Sequence, residues 1–233
     1  MERAKHSVEQ VRQVVHGFQA WGDFIDAQPY GSGHINDTYK VSARLAGTPV
    51  NYLVQRINHA IFKQPDRVMA NILRVTEHLR EKFAAAGDSD ATRKALTVIP
   101  ARDGLPYVRD EEGNWWRMYL FIEQARTYDI IESERQAFEA SRAFARFQNQ
   151  LADLPAPRLH ETIPEFHNTL SRLKALDVAI AADVCGRKAE VAAEIAFVEE
   201  HREQCGRLLA RNACGEIPER ITHNDTKINN VML

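Results

Sequence analysis

The sequence predicts an α+β protein built from two lobes, a β-rich first half and a helical second half. Three observations support this prediction. Short apolar runs bounded by Gly, Pro and Asn dominate the first half, one long helical pattern interrupts them, and helical periodicity prevails afterwards. The change of character near residues 124–131 places the predicted domains at residues 1–124 and 125–233, with a cleft expected between the lobes.

The first half begins with a predicted helix and then becomes strand-like. Ser7 followed by Gln10 matches a capping box, which predicts a helix over about residues 7–20. Apolar residues spaced three or four apart predict a long amphipathic helix over about residues 65–85. Runs typical of short strands lie at residues 23–29, 38–44, 50–57, 96–100, 106–109 and 115–122.

The turn-like run DEEGN at residues 110–114 predicts that the last two strands form a hairpin. The second half then shows one apolar stripe between residues 137 and 151. Two further helices are predicted over about residues 166–181 and 187–211.

Composition excludes several classes of partner. The 233 residues are 44% hydrophobic, and 30 basic residues face 32 acidic ones for a net charge of −2. This balance argues against nucleic acid and against an anionic membrane surface as partners. The charged N-terminus and the absence of a long apolar run argue against a signal peptide and a membrane span. Three cysteines without a CxxC pair favour a reducing, cytoplasmic location.

The segment ERITHNDTKINN concentrates polar side chains after an apolar, β-like start at Ile221. Asp225 is suited to act as a general base for a hydroxyl nucleophile, and Asn230, five positions later, offers an amide oxygen suited to Mg²⁺. Lys227 supplies a cation against negative charge on a transferred phosphoryl group. The order His223, Asp225, Asn230 is that of kinase catalytic loops, although a polar turn would fit the same residues.

A second candidate lies in the segment PYGSGHINDTYKV. Gly31 and Gly33 stand between two predicted strands, where glycines let backbone N–H groups approach a phosphate closely. Ser32 and Asn36 add side-chain donors. The segment is neither a Walker A loop nor a Rossmann fingerprint, because it lacks Gly-Lys-Ser/Thr and precedes a strand. An ordinary hairpin turn is the alternative interpretation.

A third candidate is the strand WWRMYLFIEQA, which reaches Glu123 at the predicted lobe boundary. Its backbone is placed to offer hydrogen bonds to an adenine, while a buried edge strand would show the same pattern. The order of the segments carries more information than each alone. A glycine turn, a hairpin ending at a hinge, a helical lobe and an Asp…Asn loop follow one another as in a bilobal, protein-kinase-like fold.

On PYGSGHINDTYKV, WWRMYLFIE, HETIPEFHNTLSRL and ITHNDTKINNVML, in this order, the chain resembles the aminoglycoside phosphotransferase-like (choline kinase-like) superfamily. Within it, the segments are most similar to those of N-acetylhexosamine 1-kinases, over nearly the whole chain. The resemblance implies phosphoryl transfer from ATP, with Mg²⁺, to the anomeric hydroxyl of an amino sugar. Amino-alcohol acceptors such as choline or homoserine, aminoglycoside acceptors, and an inactive nucleotide-binding fragment stay open as alternatives.

The same resemblance assigns roles to individual residues. It implies that Asp225 is the catalytic aspartate and that Asn230 is a Mg²⁺ ligand. Residues 31–38, which end at Thr38, would cover the ATP phosphates. Phe121 and Glu123 would bound the adenine hinge.

Two histidines are candidates for substrate contacts, and one cation is missing from its usual place. His34 lies in the glycine turn, where it would reach a sugar or a phosphate, and the resemblance implies that His167 faces the substrate. Most kinases carry a lysine on the third strand that holds the α/β-phosphates. Here the strand offers Gln55 or Arg56, and alternation does not decide which of them faces the cleft.

The resemblance also implies a further strand and an IDLDT-like segment, beyond Leu233, with the principal Mg²⁺ ligand. This segment is not part of the sequence. We therefore expect the 233 residues to be a fragment with little or no turnover by itself.

Overall fold

The computed structural model describes residues 6–31 and 35–232. The chain divides into two compact units, one formed by Met1–Thr162 with Ile221–Leu233 and the other by Ile163–Arg220. Strands dominate the early part of the first unit, and the second unit is helical. The predicted α+β class is confirmed, and the lobe boundary predicted at residue 124 stays a prediction.

The strands of the first unit form one five-stranded antiparallel sheet in the order β1-β2-β3-β5-β4. The strands are β1 (Asp23–Pro29), β2 (Asp37–Leu45), β3 (Thr48–Ile57), β4 (Val108–Arg109) and β5 (Trp115–Leu120). The predicted hairpin is confirmed, because β4 and β5 pair across the turn at Asp110. The regular strand predicted at residues 96–100 is wrong. That segment makes a single bridge, from Val98 to Tyr119, and the chain then turns so that Ala101 bridges to Phe18.

Directly paired residues point to the same side of a sheet, so the residues of the strands can be assigned to two faces. The covered face contributes fully buried side chains to the main core: Val41, Tyr52, Val54, Trp116 and Met118. Helix α1 (Val8–His16) adds Val11 to this core, and Phe18 follows. The opposite face carries Thr38, Gln55 and Arg117, which are neighbours in register across β2, β3 and β5. We call this side the polar sheet face.

The helices that begin at Val8 and Pro65 start where the sequence signals predict, and a short helix at Ala91–Lys94 was not predicted. The capping box is confirmed, since Ser7 Oγ accepts from Gln10 N at 3.2 Å and Gln10 Oε1 accepts from Ser7 N at 2.8 Å. The helix ends at His16, earlier than predicted, because Phe18 leaves to pair with Ala101. The remaining helices of this unit are α2 (Pro65–Ala85), α3 (Ala91–Lys94) and α4 (Glu134–Gln150).

A second apolar cluster joins these helices to the segment that follows Arg220. Its buried members are Leu79, Phe83, Ala95 and Leu151, and Ile221 packs against them. The entrance to the polar loop is therefore fixed by the packing of α2, α3 and the end of α4.

The second unit contains α5 (Thr169–Ala182), α6 (Ala192–Glu200), a 3₁₀ helix (Arg202–Gly206) and α7 (Arg207–Ala213). The single helix predicted over residues 187–211 is wrong. In its place the chain forms turns before Ala192, and then α6, the 3₁₀ helix and α7 in succession. Within residues 6–31 and 35–232, no helix has both the length and the apolar character needed to cross a bilayer.

Candidate functional site

The structure brings Asp225, Lys227 and Asn230 together in one loop. Asn230 Nδ2 donates hydrogen bonds to the main-chain oxygen of Asp225 at 2.8 Å and to its Oδ2 at 2.9 Å. Lys227 Nζ lies 3.4 Å from the same Oδ2. A 3₁₀ turn, Ile228–Asn230, brings the end of the loop back, with Asn230 N donating to Lys227 O at 3.0 Å. The five-residue spacing therefore produces one contiguous polar group.

The electrostatics of this group favour the ionised form of Asp225. The Asn230 hydrogen bond lowers the pKa of Asp225, desolvation opposes this effect, and the nearby Lys227 ammonium lowers the pKa further. The Asp225 side chain is 63% exposed, so its ion pair with Lys227 contributes little to stability. Asp225 is consequently an ionised, solvent-accessible carboxylate at neutral pH.

Apolar and aromatic contacts hold this loop in place. Ile221 packs on the second apolar cluster, and the His223 ring lies with its centroid 5.6 Å from that of Phe144. Further along, Asn229 Nδ2 donates to Asp129 Oδ1 at 3.2 Å. The predicted β-like start at Ile221 is wrong, because the segment is irregular up to the 3₁₀ turn.

The predicted phosphate turn is described at its two ends. Gly31 has a φ of +80°, a left-handed conformation that glycine adopts without strain, and no atom approaches the position that a Cβ would take. Ser32, Gly33 and His34 lie outside the described residues. Asn36 Oδ1 accepts a hydrogen bond from Asn58 N at 2.9 Å, so the Asn36 side chain ties the turn to the end of β3.

Gln55 and Arg56 point to opposite faces of the sheet. Gln55 lies on the polar sheet face, where its Nε2 donates to Thr38 Oγ1 at 2.7 Å. Arg56 points to the other face and pairs with Asp37 at 2.5 Å. These side chains are only 21% and 14% exposed, so the Arg56–Asp37 pair joins β3 to β2 as a partly buried structural contact.

The polar sheet face also carries two cations that the sequence interpretation missed. Arg117 donates to Gln55 Oε1 from Nε at 2.9 Å and from Nη2 at 2.5 Å. Lys40 Nζ lies 4.2 Å from the centre of the Phe121 ring. The alternation in WWRMYL contained the signal, since it places Arg117 on the opposite side from the buried Trp116.

The segment predicted to be the hinge follows β5 and is still hydrogen-bonded to β3 at its start. Phe121 N donates to Asn51 O at 3.0 Å, and Asn51 Nδ2 donates to Glu123 Oε1 at 2.7 Å. The main-chain oxygen of Glu123 accepts from Arg93 at 2.5 Å. The Phe121 ring makes an edge contact with Tyr30, which stands directly before the glycine turn. This ring contact crosses the polar sheet face, because Phe121 lies beside Asn51 in register, whereas the turn leads to Thr38, beside Gln55 and four residues farther along β3.

His167 belongs to the second compact unit. It is exposed, stands just before α5, and packs its ring edge-on against Phe166 with 4.8 Å between centroids. Its predicted contact with a substrate stays a prediction.

Two comparisons with known proteins relate this arrangement to an enzyme family. A model of the phosphotransferase enzyme family (APH) matches residues 26–233. A crystal structure of a spectinomycin phosphotransferase in complex with ADP and spectinomycin is similar, with a TM-score of 0.52 and 10% sequence identity. The similarity covers 99% of this chain, which spans 66% of the length of that solved chain. At this identity the likeness concerns the fold, and it supports the predicted kinase-like architecture.

Proposed function

We propose that this chain, which belongs to the phosphotransferase enzyme family, carries the nucleotide-binding face and the catalytic loop of an ATP-dependent small-molecule kinase. The observation that carries the proposal is the hydrogen bond between Asn230 and the Asp225 carboxylate. These residues keep the order and spacing of a kinase catalytic loop, and the family match includes them. The family match favours this interpretation over a polar turn.

In this proposal Asp225 positions the acceptor hydroxyl and takes up its proton. Asn230 and Lys227 both approach Oδ2, so we assign the acceptor hydroxyl to Oδ1. The lowered pKa makes Asp225 a weak base. Its main effect is therefore to orient the hydroxyl. The proton moves to Asp225 as the acceptor oxygen bonds to the γ-phosphorus and ADP leaves. Lys227 offsets negative charge that develops on the transferred group.

The residues present also fit Mg²⁺. The amide nitrogen of Asn230 faces Asp225, which leaves the amide oxygen directed away from that carboxylate. No cluster of three or more acidic, His or Cys ligands exists among residues 6–31 and 35–232. We propose that the amide oxygen of Asn230 would contribute to holding the ion, beside ATP phosphate oxygens and water, since Mg²⁺ prefers oxygen ligands. When bound, Mg²⁺ would neutralise charge on the phosphates.

We assign ATP to the polar sheet face. Residues 31–38 would cover its phosphates through backbone N–H groups, with Thr38 and Gln55 beneath them. Phe121 and Glu123, whose segment meets the turn through the contact between the Phe121 and Tyr30 rings, would bound the adenine site.

For the acceptor we propose the anomeric hydroxyl of an N-acetylhexosamine. Support comes from the segments PYGSGHINDTYKV and ITHNDTKINNVML, which resemble those of the N-acetylhexosamine 1-kinases. His34 and His167 are the proposed substrate contacts. The spectinomycin phosphotransferase adds an aminocyclitol antibiotic to the acceptors worth testing.

The first test is nucleotide binding by the 233-residue chain, measured by titration calorimetry with ADP in the presence and absence of Mg²⁺. We expect Mg²⁺ to strengthen the binding of ADP, and Asn230→Ala to remove this dependence on Mg²⁺. Asn149→Ala, at an exposed position near the end of α4, is the matched control, because it makes the same change of side chain away from the loop. A chain that binds neither ADP nor ATP with Mg²⁺ would overturn the proposal.

The second test is ADP release with ATP, Mg²⁺ and a panel of acceptors: N-acetylglucosamine, N-acetylgalactosamine, homoserine, choline and spectinomycin. From the 233 residues alone we expect little or no release. Any acceptor-dependent release should be strongest with an N-acetylhexosamine and should be lost in Asp225→Asn, which removes the general base. Release that persists in Asp225→Asn would remove Asp225 from the catalytic role.

A further inference from the structure

We propose that Arg117, on β5, supplies the cation that binds the α- and β-phosphates, in place of the lysine that most kinases carry on the third strand. This inference rests on the proposed function, because it concerns the nucleotide site on the polar sheet face. It concerns a residue to which neither the sequence motifs nor the comparisons assign a role.

The side chains of Thr38, Gln55 and Arg117 form a row across three strands. Gln55 Nε2 donates to Thr38 Oγ1 at 2.7 Å, and Gln55 Oε1 accepts from Arg117 Nε at 2.9 Å and Nη2 at 2.5 Å. The neutral Gln55 amide thus occupies the third-strand position and holds a guanidinium from the neighbouring strand. An arginine has five N–H donors, so these two contacts leave others to bind an anion.

Packing fixes the direction of the guanidinium. The Arg117 Cζ lies 5.5 Å from the centre of the Tyr119 ring, and Tyr119 is 4% exposed. Held between this ring and Gln55, the Arg117 side chain loses little further freedom on binding a ligand. A planar guanidinium suits the paired oxygens of a diphosphate.

The row lies next to the glycine turn. Thr38 O accepts from Tyr30 N at 2.9 Å, directly before Gly31, so Thr38 is the first residue of β2 on the polar sheet face. Phosphates under the turn would therefore meet the Arg117 end of the polar sheet face.

Three other cations near this row have different partners. Lys40 lies two residues farther from the turn, with its ammonium over the Phe121 ring. Arg56 is on the covered side, in its ion pair with Asp37. Arg109 shares the polar sheet face on the edge strand β4, where it stacks on Trp115, so Arg117 is the cation that contacts Gln55 within the row.

The test compares two probes of the same site, ADP and adenosine, with the 233-residue chain. Arg117→Gln keeps an N–H donor for Gln55 and removes the charge. We expect it to weaken ADP on the order of ten- to a hundredfold, the range for a lost charge-assisted hydrogen bond, and to leave adenosine unchanged. Arg117→Lys should retain most of the ADP affinity. Arg109→Gln is the matched control, since Arg109 also stacks on an aromatic ring, Trp115, one strand away.

A relocation variant provides an independent check. In Gln55→Lys/Arg117→Gln the cation moves to the third strand, and we expect ADP affinity to return to within about threefold of the unchanged chain, a difference of less than 1 kcal/mol. Equal weakening of ADP and adenosine in Arg117→Gln would show a structural role and overturn the inference. Unchanged ADP binding in that variant would overturn it as well, while the proposed function would stand. Absence of ADP binding in the unchanged chain would overturn both.

Discussion

Asn230 holds Asp225 at two atoms at once, donating from one amide nitrogen to its main-chain oxygen at 2.8 Å and to its carboxylate at 2.9 Å. One residue therefore restrains both the backbone and the side chain of the proposed catalytic aspartate. The contact spans the sequence interval that a kinase catalytic loop requires. The five-residue spacing between Asp225 and Asn230 therefore lets the two side chains bond directly, independently of a metal ion.

Replacing Asn230 by Ala should raise the pKa of Asp225, because the hydrogen bond from Asn230 is the first cause of its lowered value. Carboxyl carbon chemical shifts followed through an NMR pH titration would measure the change. Asn224→Ala is the matched control, since Asn224 accepts from Thr222 Oγ1 at 2.5 Å in the same loop. An Asp225 pKa that is the same in the unchanged chain and in Asn230→Ala would contradict this account.

Adjacent positions on β3 should separate binding from stability. Arg56→Leu removes a partly buried charge partner of Asp37, and we expect a loss of about 2 kcal/mol in the free energy of unfolding with little change in ADP affinity. Gln55→Leu should weaken ADP binding with little change in the free energy of unfolding, because Gln55 holds Arg117 on the polar sheet face. Urea unfolding and ADP titration of both variants measure the two effects. A stronger loss of ADP affinity in Arg56→Leu than in Gln55→Leu would reverse the assignment.

Local signals in the sequence predicted much of the fold. The helix Pro65–Ala85 was predicted at both ends, since its periodicity is regular and a proline starts it. The prediction of one helix over residues 187–211 was wrong because the apolar residues there are not confined to one side, and a 3₁₀ helix, Arg202–Gly206, separates α6 from α7.

The candidate site also contains contacts that the sequence could predict and contacts that it could not. Asp225, Lys227 and Asn230 are close in sequence, so their proximity could be predicted from spacing. The contact between Gln55 and Arg117 joins residues far apart in the chain and depends on the pairing of β3 with β5. Strand register is set by the buried faces of both strands, and it became evident in the structure.

The turn at Asp110 should contribute strongly to stability. Its carboxylate accepts from the main-chain nitrogens of Glu112 and Asn114, at 3.0 and 2.8 Å, and from the indole of the fully buried Trp116 at 2.8 Å. Asp110→Ala leaves the Trp116 N–H without this acceptor, and we expect a loss of about 2–3 kcal/mol in the free energy of unfolding. Tryptophan fluorescence during urea unfolding measures it. Asp103→Ala, in an exposed turn with one such bond, should cost less than half as much.

The same carboxylate predicts how stability changes in acid. Burial alone would raise the pKa of Asp110, but the hydrogen bonds from Trp116 and Asn114 outweigh it and bring the pKa below the ordinary value of 3.8. The stabilisation is therefore complete above that value and is lost as the pH falls through the lower pKa of the folded state. Unfolding measured between about pH 5 and pH 2 should show a smaller decline for Asp110→Ala than for the unchanged chain. Parallel declines would exclude this contribution.

The second apolar cluster should control the order of the catalytic loop. Leu151 is 1% exposed and packs with Leu79 and Phe83, and Ile221 joins them where the loop begins. Leu151→Ala should lower the free energy of unfolding by about 3 kcal/mol through lost contacts and a cavity. Because Ile221 loses part of its support, amide hydrogen exchange at residues 222–230 should accelerate more than exchange in the sheet.

Phe138→Ala is the control for this prediction. Phe138 lies on α4, the helix that Leu151 follows, and is 63% exposed, so its removal should change neither measurement appreciably. Exchange mass spectrometry of peptides covering residues 221–232 and β3 would compare the loop with the sheet in both variants. If Leu151→Ala lowers stability while the loop and the sheet accelerate equally, the cluster supports the whole unit and has no particular influence on Asp225. If amide exchange accelerates more in the loop than in the sheet, packing around Leu151 supports the contact between Asp225 and Asn230.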